Sequence, residues 1–181
     1  MQKKVLGIVG SPRKGGNTDE LVDLVLKGAA DNGAAEEKVY LADQKIENCK
    51  ECLCCHNGSE KCVLRDDMEE LAQKMEAADV WVLGTPIFWW GPTGLFKTFL
   101  DRWFGYHFSF QSKKIILAYP SGDQSDLVAR FFVGMMDEAL NYEGTQAFAH
   151  LHAGGVDGPG DLRKFPEITK QAYLAGADSV K

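Results

Sequence analysis

Residues 5–18 read VLGIVGSPRKGGNT, and this stretch decides the fold. Its first five residues form an apolar run without polar alternation, which is typical of a parallel strand buried on both faces. A glycine-rich loop follows over residues 10–16, and apolar side chains then recur at helical spacing between Leu21 and Ala29. The stretch therefore predicts a strand, a loop and a helix that is capped by Asn17 or Thr18.

The rest of the chain continues this alternation of strand and helix patterns. Four more strands are predicted near residues 38–41, 80–83, 114–119 and 145–152. Four more helices are predicted over residues 68–78, 95–103, 127–142 and 166–175. Strands that alternate with helices imply crossover connections and a parallel sheet. Five such strands fit an α/β fold of the flavodoxin-like, doubly wound type, with strand order 2-1-3-4-5 and helices on both faces.

The chain organisation follows from the same patterns. We expect one domain over residues 1–181, with a polar, cysteine-rich excursion at 43–65 between the second strand and the second helix. Asp67 precedes Glu70 by three residues, which predicts a capping box at the start of that helix. The switch point of such a sheet is the place where the strand order reverses, and in the predicted order it lies between strands 1 and 3. A ligand is therefore expected at the loops that follow these two strands.

Charge and hydropathy exclude several classes of function. The formal net charge is -6 and no run of five like charges occurs, so a nucleic-acid partner is not expected. No apolar stretch approaches the roughly 20 residues that a membrane-spanning helix requires. The apolar run near the N-terminus stops too early for a secretory signal. We therefore expect a cytoplasmic protein without a membrane partner.

The first loop has the composition of an anion site. Backbone N–H groups at a helix N-terminus attract negative charge, and glycines let the backbone approach it. The loop has neither the Gly-Lys-Ser/Thr ending of a P-loop nor the glycine pattern of a dinucleotide site. A single phosphate is favoured, although an ordinary strand–helix turn is the alternative. The candidate phosphate-binding residues are Ser11, Arg13, Gly16, Asn17 and Thr18.

A second motif, TPIFWWGPTGL at residues 85–95, runs into Lys97, Asp101 and Arg102. Together the two motifs resemble those of the NAD(P)H-dependent FMN reductase family of the flavodoxin superfamily, over at least residues 4–103. The resemblance implies that FMN is the cofactor, that the first loop binds its phosphate and that the second lies against its isoalloxazine ring. The ring-binding residues it implies are Pro86, Ile87, Phe88, Trp89, Trp90 and Gly91. A weaker resemblance places a third flavin loop at Ser121, Gly122 and Asp123.

The physical chemistry of the second motif agrees with a flavin. An isoalloxazine is a flat apolar ring system with a polar edge, so it needs apolar walls and a few backbone donors. Three consecutive aromatic residues cannot all point into one core, although burial is the usual fate of an aromatic side chain. We expect at least one of them to face a ligand or a partner subunit.

Five cysteines lie between Cys49 and Cys62. Four of them, Cys49, Cys52, Cys55 and Cys62, are separated by two, two and six residues, with Cys54 as an extra thiol. Thiolates at this spacing can hold a 4Fe–4S cluster or tetrahedral zinc. The spacing resembles the compact motif of the iron–sulfur flavoproteins. Reduced thiols in a loop that covers the flavin are the alternative.

The function expected from these observations is that of an FMN-dependent oxidoreductase. It takes electrons from NAD(P)H or a carrier protein and passes them to a quinone, a flavin or another small acceptor. The alternative is an iron–sulfur flavoprotein that carries electrons between proteins. No catalytic residue is predicted, and no role is predicted for His107, His150 or His152. Because many aromatic residues fall in loops, we expect a homodimer or homotetramer.

Overall fold

A computed structural model describes residues 2–57 and 62–181, which form one parallel sheet of five strands in the order β2-β1-β3-β4-β5. The strands are β1 (Lys4–Val9), β2 (Ala35–Tyr40), β3 (Val80–Gly84), β4 (Lys114–Ser121) and β5 (Ala147–Gly154). The helices are α1 (Asn17–Asp31), α2 (Met68–Ala77), α3 (Gly94–Asp101), α4 (Arg130–Tyr142) and α5 (Pro166–Ser179). The predicted fold class and strand order are therefore confirmed.

The sheet separates two hydrophobic cores. Successive side chains of a strand point to opposite faces, so Leu6 and Ile8 join one core while Val5 and Val9 join the other. Helices α2, α3 and α4 cover the first core, and α1 and α5 cover the second. Among the described helices, none is long and apolar enough to cross a membrane.

Helix α1 packs against α5 through two glycines that approach the opposite backbone. A Cβ atom added to Gly28 would lie 1.9 Å from the carbonyl oxygen of Tyr173, and one added to Gly176 would lie 1.9 Å from that of Val25. Only glycine permits so close an approach of two helix backbones. This contact sets the position of α1, whose N-terminus carries the glycine-rich loop.

Three local predictions are wrong in detail. Helix α1 starts at Asn17 with Gly16 at the N-cap and no side-chain cap, so neither Asn17 nor Thr18 has the capping role. Asp67 makes no capping hydrogen bond either. Instead the carboxylate of Asp66 accepts a hydrogen bond of 3.2 Å from the backbone N–H of Met68. In each case a neighbouring residue, Gly16 for α1 and Asp66 for α2, was equally compatible with the local pattern.

Two element boundaries also differ from the predicted ones. The predicted helix 127–142 is divided into a short 3₁₀ turn, Asp126–Val128, and the helix α4 that begins at Arg130. Strand β5 ends at Gly154, two residues later than predicted. This extension pairs Ala153 and Gly154 with Pro120 and Ser121 of β4.

Candidate functional site

Four loops at the carboxyl edge of the sheet enclose a cavity of about 230 Å³. They follow β1, β3, β4 and β5, so the cavity lies at the predicted switch point. The lining residues are Ser11, Arg13, Gly16, Asn17, Thr18, Pro86, Ile87, Phe88, Pro120, Ser121, Gly122, Val156, Asp157 and Pro159. Ten predicted site residues are thus brought together here, whereas Trp89, Trp90, Gly91 and Asp123 lie outside the lining. We call this cavity the four-loop pocket.

Hydrogen bonds of its own residues stabilise the first loop. The hydroxyl oxygen of Ser11 accepts a hydrogen bond of 3.1 Å from the backbone N–H of Arg13, which leaves its hydrogen for a ligand. Ser11 and Thr18 are both buried, while the Arg13 guanidinium group reaches across to the carbonyl of Asp157 at 3.5 Å. A buried hydroxyl, a cation and a helix N-terminus at one end of a cavity suit a phosphate.

Asp19 supports this loop, and the sequence patterns did not reveal it. Its carboxylate accepts hydrogen bonds from the backbone N–H of Gly15 at 2.7 Å and from the Lys38 ammonium group at 2.7 Å. The Tyr40 hydroxyl donates to the same carboxylate at 3.1 Å. Burial alone would raise the pKa of Asp19, but the bonds from Lys38 and Gly15 outweigh it and lower that pKa. The carboxylate is therefore charged at neutral pH and fixes Gly15 in its left-handed conformation, with φ of 68°.

The loop after β5 forms the fourth wall of the pocket. The side-chain amide of Asn17 donates to the carbonyl of Gly158 at 2.9 Å and accepts from the backbone N–H of Leu162 at 3.2 Å. Asn17 is one of the predicted phosphate-binding residues, and in the structure its amide holds the β5 loop in place. Its backbone N–H belongs to the first turn of α1, where N–H groups have no partner within the helix.

The segment at residues 85–95, which we call the ring loop, contains a two-residue turn with an unusual sequence. Phe88 and Gly91 exchange two backbone hydrogen bonds of 2.8 and 3.1 Å, and the two residues between them, Trp89 and Trp90, have φ of 49° and 62°. Such a turn is normally built from Asn and Gly, because positive φ is strained for bulky side chains. Trp89 is 91% exposed. The expected exposed aromatic residue is therefore present, and strain of this kind is typical of functional loops.

A second cavity, of about 200 Å³, lies at the cysteine-rich segment. Cys49, Cys52, Cys55 and Cys62 all line it, whereas Cys54 does not. The five cysteines form no disulfide. Within residues 2–57 and 62–181, no group of three or more metal-ligating side chains is arranged to hold a metal ion. The cavity therefore gathers the four predicted sulfur ligands without placing them in a finished coordination sphere.

Arg102 is the polar centre of this region. The Arg102 side chain is 1% exposed. Its guanidinium group donates hydrogen bonds to the carboxylate of Asp66 at 2.5 Å and to the backbone carbonyl of Glu47 at 3.0 Å. It also donates to the sulfur of Cys62 at 3.4 Å. Burial would lower the pKa of Arg102, but Asp66 outweighs it and raises that pKa. Its Nε atom is buried and has no hydrogen-bond partner among residues 2–57 and 62–181. A fixed cation beside a cysteine sulfur suits the binding of an anionic thiolate centre.

In the part of the chain that the structure describes, the two cavities share no lining residue. Helix α3 joins them, because its N-cap residue Thr93 bonds to the Gly10 carbonyl of the first loop, while Arg102 follows its last residue. Eight helical residues span about 12 Å. Among the described residues, the first loop and the cysteine cavity therefore lie at opposite ends of α3.

The fold defines a flavodoxin-like protein, and its four-loop pocket lies at the switch point. The family model that describes NADPH-dependent FMN reductases matches residues 3–130, and the chain belongs to this family. The predicted resemblance is thereby confirmed.

Individual relatives give further comparisons. An iron–sulfur flavoprotein of Archaeoglobus fulgidus is 41% identical over 103 residues, which are 57% of this chain and 46% of the relative. One from Methanosarcina thermophila is 33% identical over 99 residues, 55% of this chain and 51% of the relative. The matched region thus spans about half the length of these curated relatives. The NAD(P)H:quinone oxidoreductase of Methanothermobacter marburgensis shares the fold, with a TM-score of 0.75 at 18% identity, over 98% of this chain and 99% of that one.

Proposed function

We propose that this chain binds FMN in the four-loop pocket and acts as an FMN-dependent oxidoreductase. NAD(P)H or a carrier protein donates the electrons, and a quinone, a flavin or another small acceptor receives them. The observation that carries the proposal is the single cavity that combines a helix N-terminus with buried hydroxyls at one end and the ring-loop residues at the other. Membership of the FMN reductase family supports the same conclusion.

The residues of the pocket have distinct tasks in this proposal. Ser11, Arg13 and Thr18, with the backbone N–H groups at the start of α1, bind the phosphate. Pro86, Ile87 and Phe88 form a wall for the ring, and Ser121 with Gly122 bounds it from the β4 side. When bound, FMN supplies the hydride and electron chemistry, while the protein orients the ring and limits its contact with water.

The pocket favours FMN over FAD. The Asn17 amide donates to the Gly158 carbonyl at 2.9 Å, which ties the β5 loop to the first loop beside this pocket. No dinucleotide glycine pattern is present in the first loop. Cofactor released from the protein is expected to run as FMN on chromatography, and FAD in its place would contradict the proposal.

The test of the phosphate site is a paired substitution. Ser11→Ala with Arg13→Ala removes a hydroxyl and a cation, and charge-assisted hydrogen bonds contribute about 1.5–3 kcal/mol each. The double variant should bind FMN about 100-fold more weakly in a fluorescence titration, since 1.4 kcal/mol is tenfold in affinity. Lys14→Ala is the matched control, because Lys14 lies in the same loop but pairs with Asp43 outside the pocket. Unchanged affinity in the double variant would place the phosphate elsewhere.

A second candidate function is electron transfer between proteins through FMN and an iron–sulfur cluster. The specific observation that favours it is the cavity lined by Cys49, Cys52, Cys55 and Cys62 beside the buried Arg102. The segment is strained, since Glu51 and Leu53, on either side of Cys52, have φ of 49° and 56°. Because the thiols are gathered but not in coordination geometry, the loop would have to close around a cluster.

Iron analysis of protein purified without oxygen tests the second candidate. Iron and acid-labile sulfide in the parent protein, lost in Cys49→Ser with Cys52→Ser, would support a cluster. Cys54→Ser is the control, because Cys54 does not line the cavity and its substitution should leave the iron content unchanged. A parent protein without iron that still turns over NAD(P)H would reject the cluster and leave a plain FMN reductase.

The homodimer or homotetramer belongs to the same proposal. Phe88, Trp89, Trp90 and Phe104 are all exposed large apolar residues, and such surfaces commonly mark interfaces. Light scattering at micromolar concentration should give at least twice the mass of the chain, and a monomer would contradict this. A cytoplasmic location is proposed too, because reducing surroundings keep clustered thiols from forming disulfides.

A further inference from the structure

A hydrogen-bonded chain of three side chains runs from the protein surface to the four-loop pocket. The carboxylate of Asp126 lies 2.7 Å from Nδ1 of His152, and Nε2 of the same ring lies 2.8 Å from the hydroxyl oxygen of Ser121. Ser121 lines the pocket. The residues are 26 and 31 positions apart in sequence, and no motif predicted their meeting.

Exposure falls steadily along this chain. The side chain of Asp126 is 95% exposed and that of His152 is 12% exposed, while Ser121 is 4% exposed. A proton that enters at the carboxylate would therefore pass through one imidazole to reach a hydroxyl at the wall of the pocket. Imidazole and hydroxyl groups both accept and donate protons, so each link can carry one.

The heavy-atom positions satisfy two arrangements of the hydrogens. The Ser121 hydroxyl also lies 2.8 Å from the carbonyl oxygen of Asp123. With a neutral ring, Ser121 donates to Nε2 of His152 and Nδ1 donates to Asp126. With a protonated ring, Nε2 donates to Ser121, and Ser121 donates to the Asp123 carbonyl. That carbonyl keeps a second hydrogen bond from the N–H of Gly155, at 3.2 Å, in both arrangements.

From this geometry we propose that Asp126, His152 and Ser121 form a proton path between solvent and the flavin site. The inference rests on the proposed function, since it assigns a route for the protons of that reaction. Reduction consumes one: FMN, NAD(P)H and a proton give reduced FMN and NAD(P)⁺, with the hydride moving from the nicotinamide. Reoxidation of the reduced FMN by a quinone transfers two electrons and two protons from the flavin to the quinone. His152 and Ser121 carry the proton inward, and Asp126, where the path meets solvent, also sets the orientation of the His152 ring.

His152 is packed among groups from several elements. The ring of Tyr119 stacks on it with centroids 5.4 Å apart, and burial raises the pKa of that tyrosine to about 12, so it stays neutral. Lys164 and Glu167 face His152 across an open cavity of about 330 Å³. The Lys164 ammonium group is engaged by Asp161 at 2.6 Å. Among the described residues, Asp126 is the only carboxylate that pairs with this ring.

The same strand supplies a matched control. His150, two residues earlier on β5, pairs with Asp137 at 3.2 Å and with the Tyr119 hydroxyl at 3.4 Å. This second histidine–aspartate pair does not line the four-loop pocket. A variant at His150 therefore tests what the loss of a paired histidine from β5 does by itself.

The experiment measures flavin reduction by NADH or NADPH, followed by reoxidation with 1,4-benzoquinone, in anaerobic stopped flow. His152→Ala is expected to slow turnover roughly 100-fold, the lower end of general acid–base contributions. Added imidazole should restore the rate in proportion to its concentration, because it can occupy the vacated space between Ser121 and Asp126. The parent should show a solvent deuterium isotope effect that the variant loses without imidazole. His150→Ala should stay within about twofold of the parent.

Each outcome decides the question. A rate for His152→Ala like that of His150→Ala, or a slow rate that imidazole does not restore, would overturn the proton path; the second result would leave His152 a structural role only. If His152→Ala fails to bind FMN, His152→Gln, which keeps both hydrogen-bonding positions but cannot carry a proton, is measured instead, and a parental rate overturns the proposal. A parent that does not bind FMN would remove the proposed function and this inference with it.

Discussion

The four-loop pocket and the cysteine cavity lie at opposite ends of α3 and are built in different ways. The pocket stands on the ends of four strands, and its walls are tied together by hydrogen bonds such as those of Asn17 and Asp19. The cysteine cavity is formed by an excursion with no regular secondary structure over residues 44–57, and Cys49 and Cys52 are exposed. The pocket at the sheet edge is thus complete once the chain folds. A metal site in the excursion would instead take its final geometry only when the metal binds.

Arg102 is the strongest link between the excursion and the core, so its loss should have the largest effect. Arg102→Ala leaves the nearly buried carboxylate of Asp66 without its cation, and breaking such a pair costs about 3–5 kcal/mol. The free energy of unfolding, measured in urea, should fall by that amount. Arg65→Ala is the control, since Arg65 is exposed and pairs with Glu69 at 3.6 Å, and should cost about 0–1 kcal/mol. Equal effects would mean that Arg102 does not hold the excursion.

The next effect belongs to the pocket side. Gly28→Ala forces α1 and α5 apart, because the new Cβ would meet the Tyr173 carbonyl oxygen, and overpacking costs about 1–3 kcal/mol. FMN affinity should fall together with the melting temperature, since α1 carries the phosphate loop. Gly134→Ala in α4 meets no atom within 4 Å and should instead stabilise the protein by about 0.5–1 kcal/mol. A Gly28→Ala protein as stable as the parent would show that the helices can separate freely.

Unlike most substitutions, a change of the two turn residues in the ring loop should stabilise the protein. Replacing Trp89 by Asn and Trp90 by Gly supplies the residues that its turn prefers and should stabilise the flavin-free protein by about 2 kcal/mol, because positive φ costs roughly 1–3 kcal/mol per bulky residue. Calorimetry of the flavin-free protein measures this. Trp89→Phe with Trp90→Phe keeps the strain and should not stabilise. A lower melting temperature for the Asn-Gly variant would mean that the tryptophans contribute packing that exceeds their strain.

The smallest effect depends on pH. The folded protein lowers the pKa of Asp19, so this carboxylate stabilises the protein above its unfolded pKa, and that contribution is lost as pH falls through the folded pKa. Asp19→Asn should cost about 1.5 kcal/mol at neutral pH. The difference between parent and variant should disappear in acid, which unfolding curves at several pH values would reveal. A difference that persists at low pH would show that packing, not charge, is the contribution of Asp19.

Much of the pocket was predictable because its signals are local. The first loop, which was predicted to bind phosphate, occupies nine residues between a buried strand and a helix, and the ring loop occupies eleven residues. A short-range sequence pattern therefore reveals both loops. The N-caps were wrong because Gly16, Asn17 and Thr18 are adjacent and compatible with the same role, and backbone geometry chose Gly16. The turn at Trp89 and Trp90 was missed because its sequence is one that such turns avoid.

By itself, the sequence determined the sheet, its strand order, the family and the identity of the two candidate centres. Only the tertiary structure decided which residues complete them. It placed Asp157 and Gly158 against the first loop, chose Cys55 rather than Cys54 for the cysteine cavity and brought Arg102 to Cys62. It also aligned His152 with Ser121 across two neighbouring strands. Contacts of this kind join residues from 31 to 141 positions apart in the sequence. They follow from the register and packing of whole elements, which leave no mark on any short stretch of sequence.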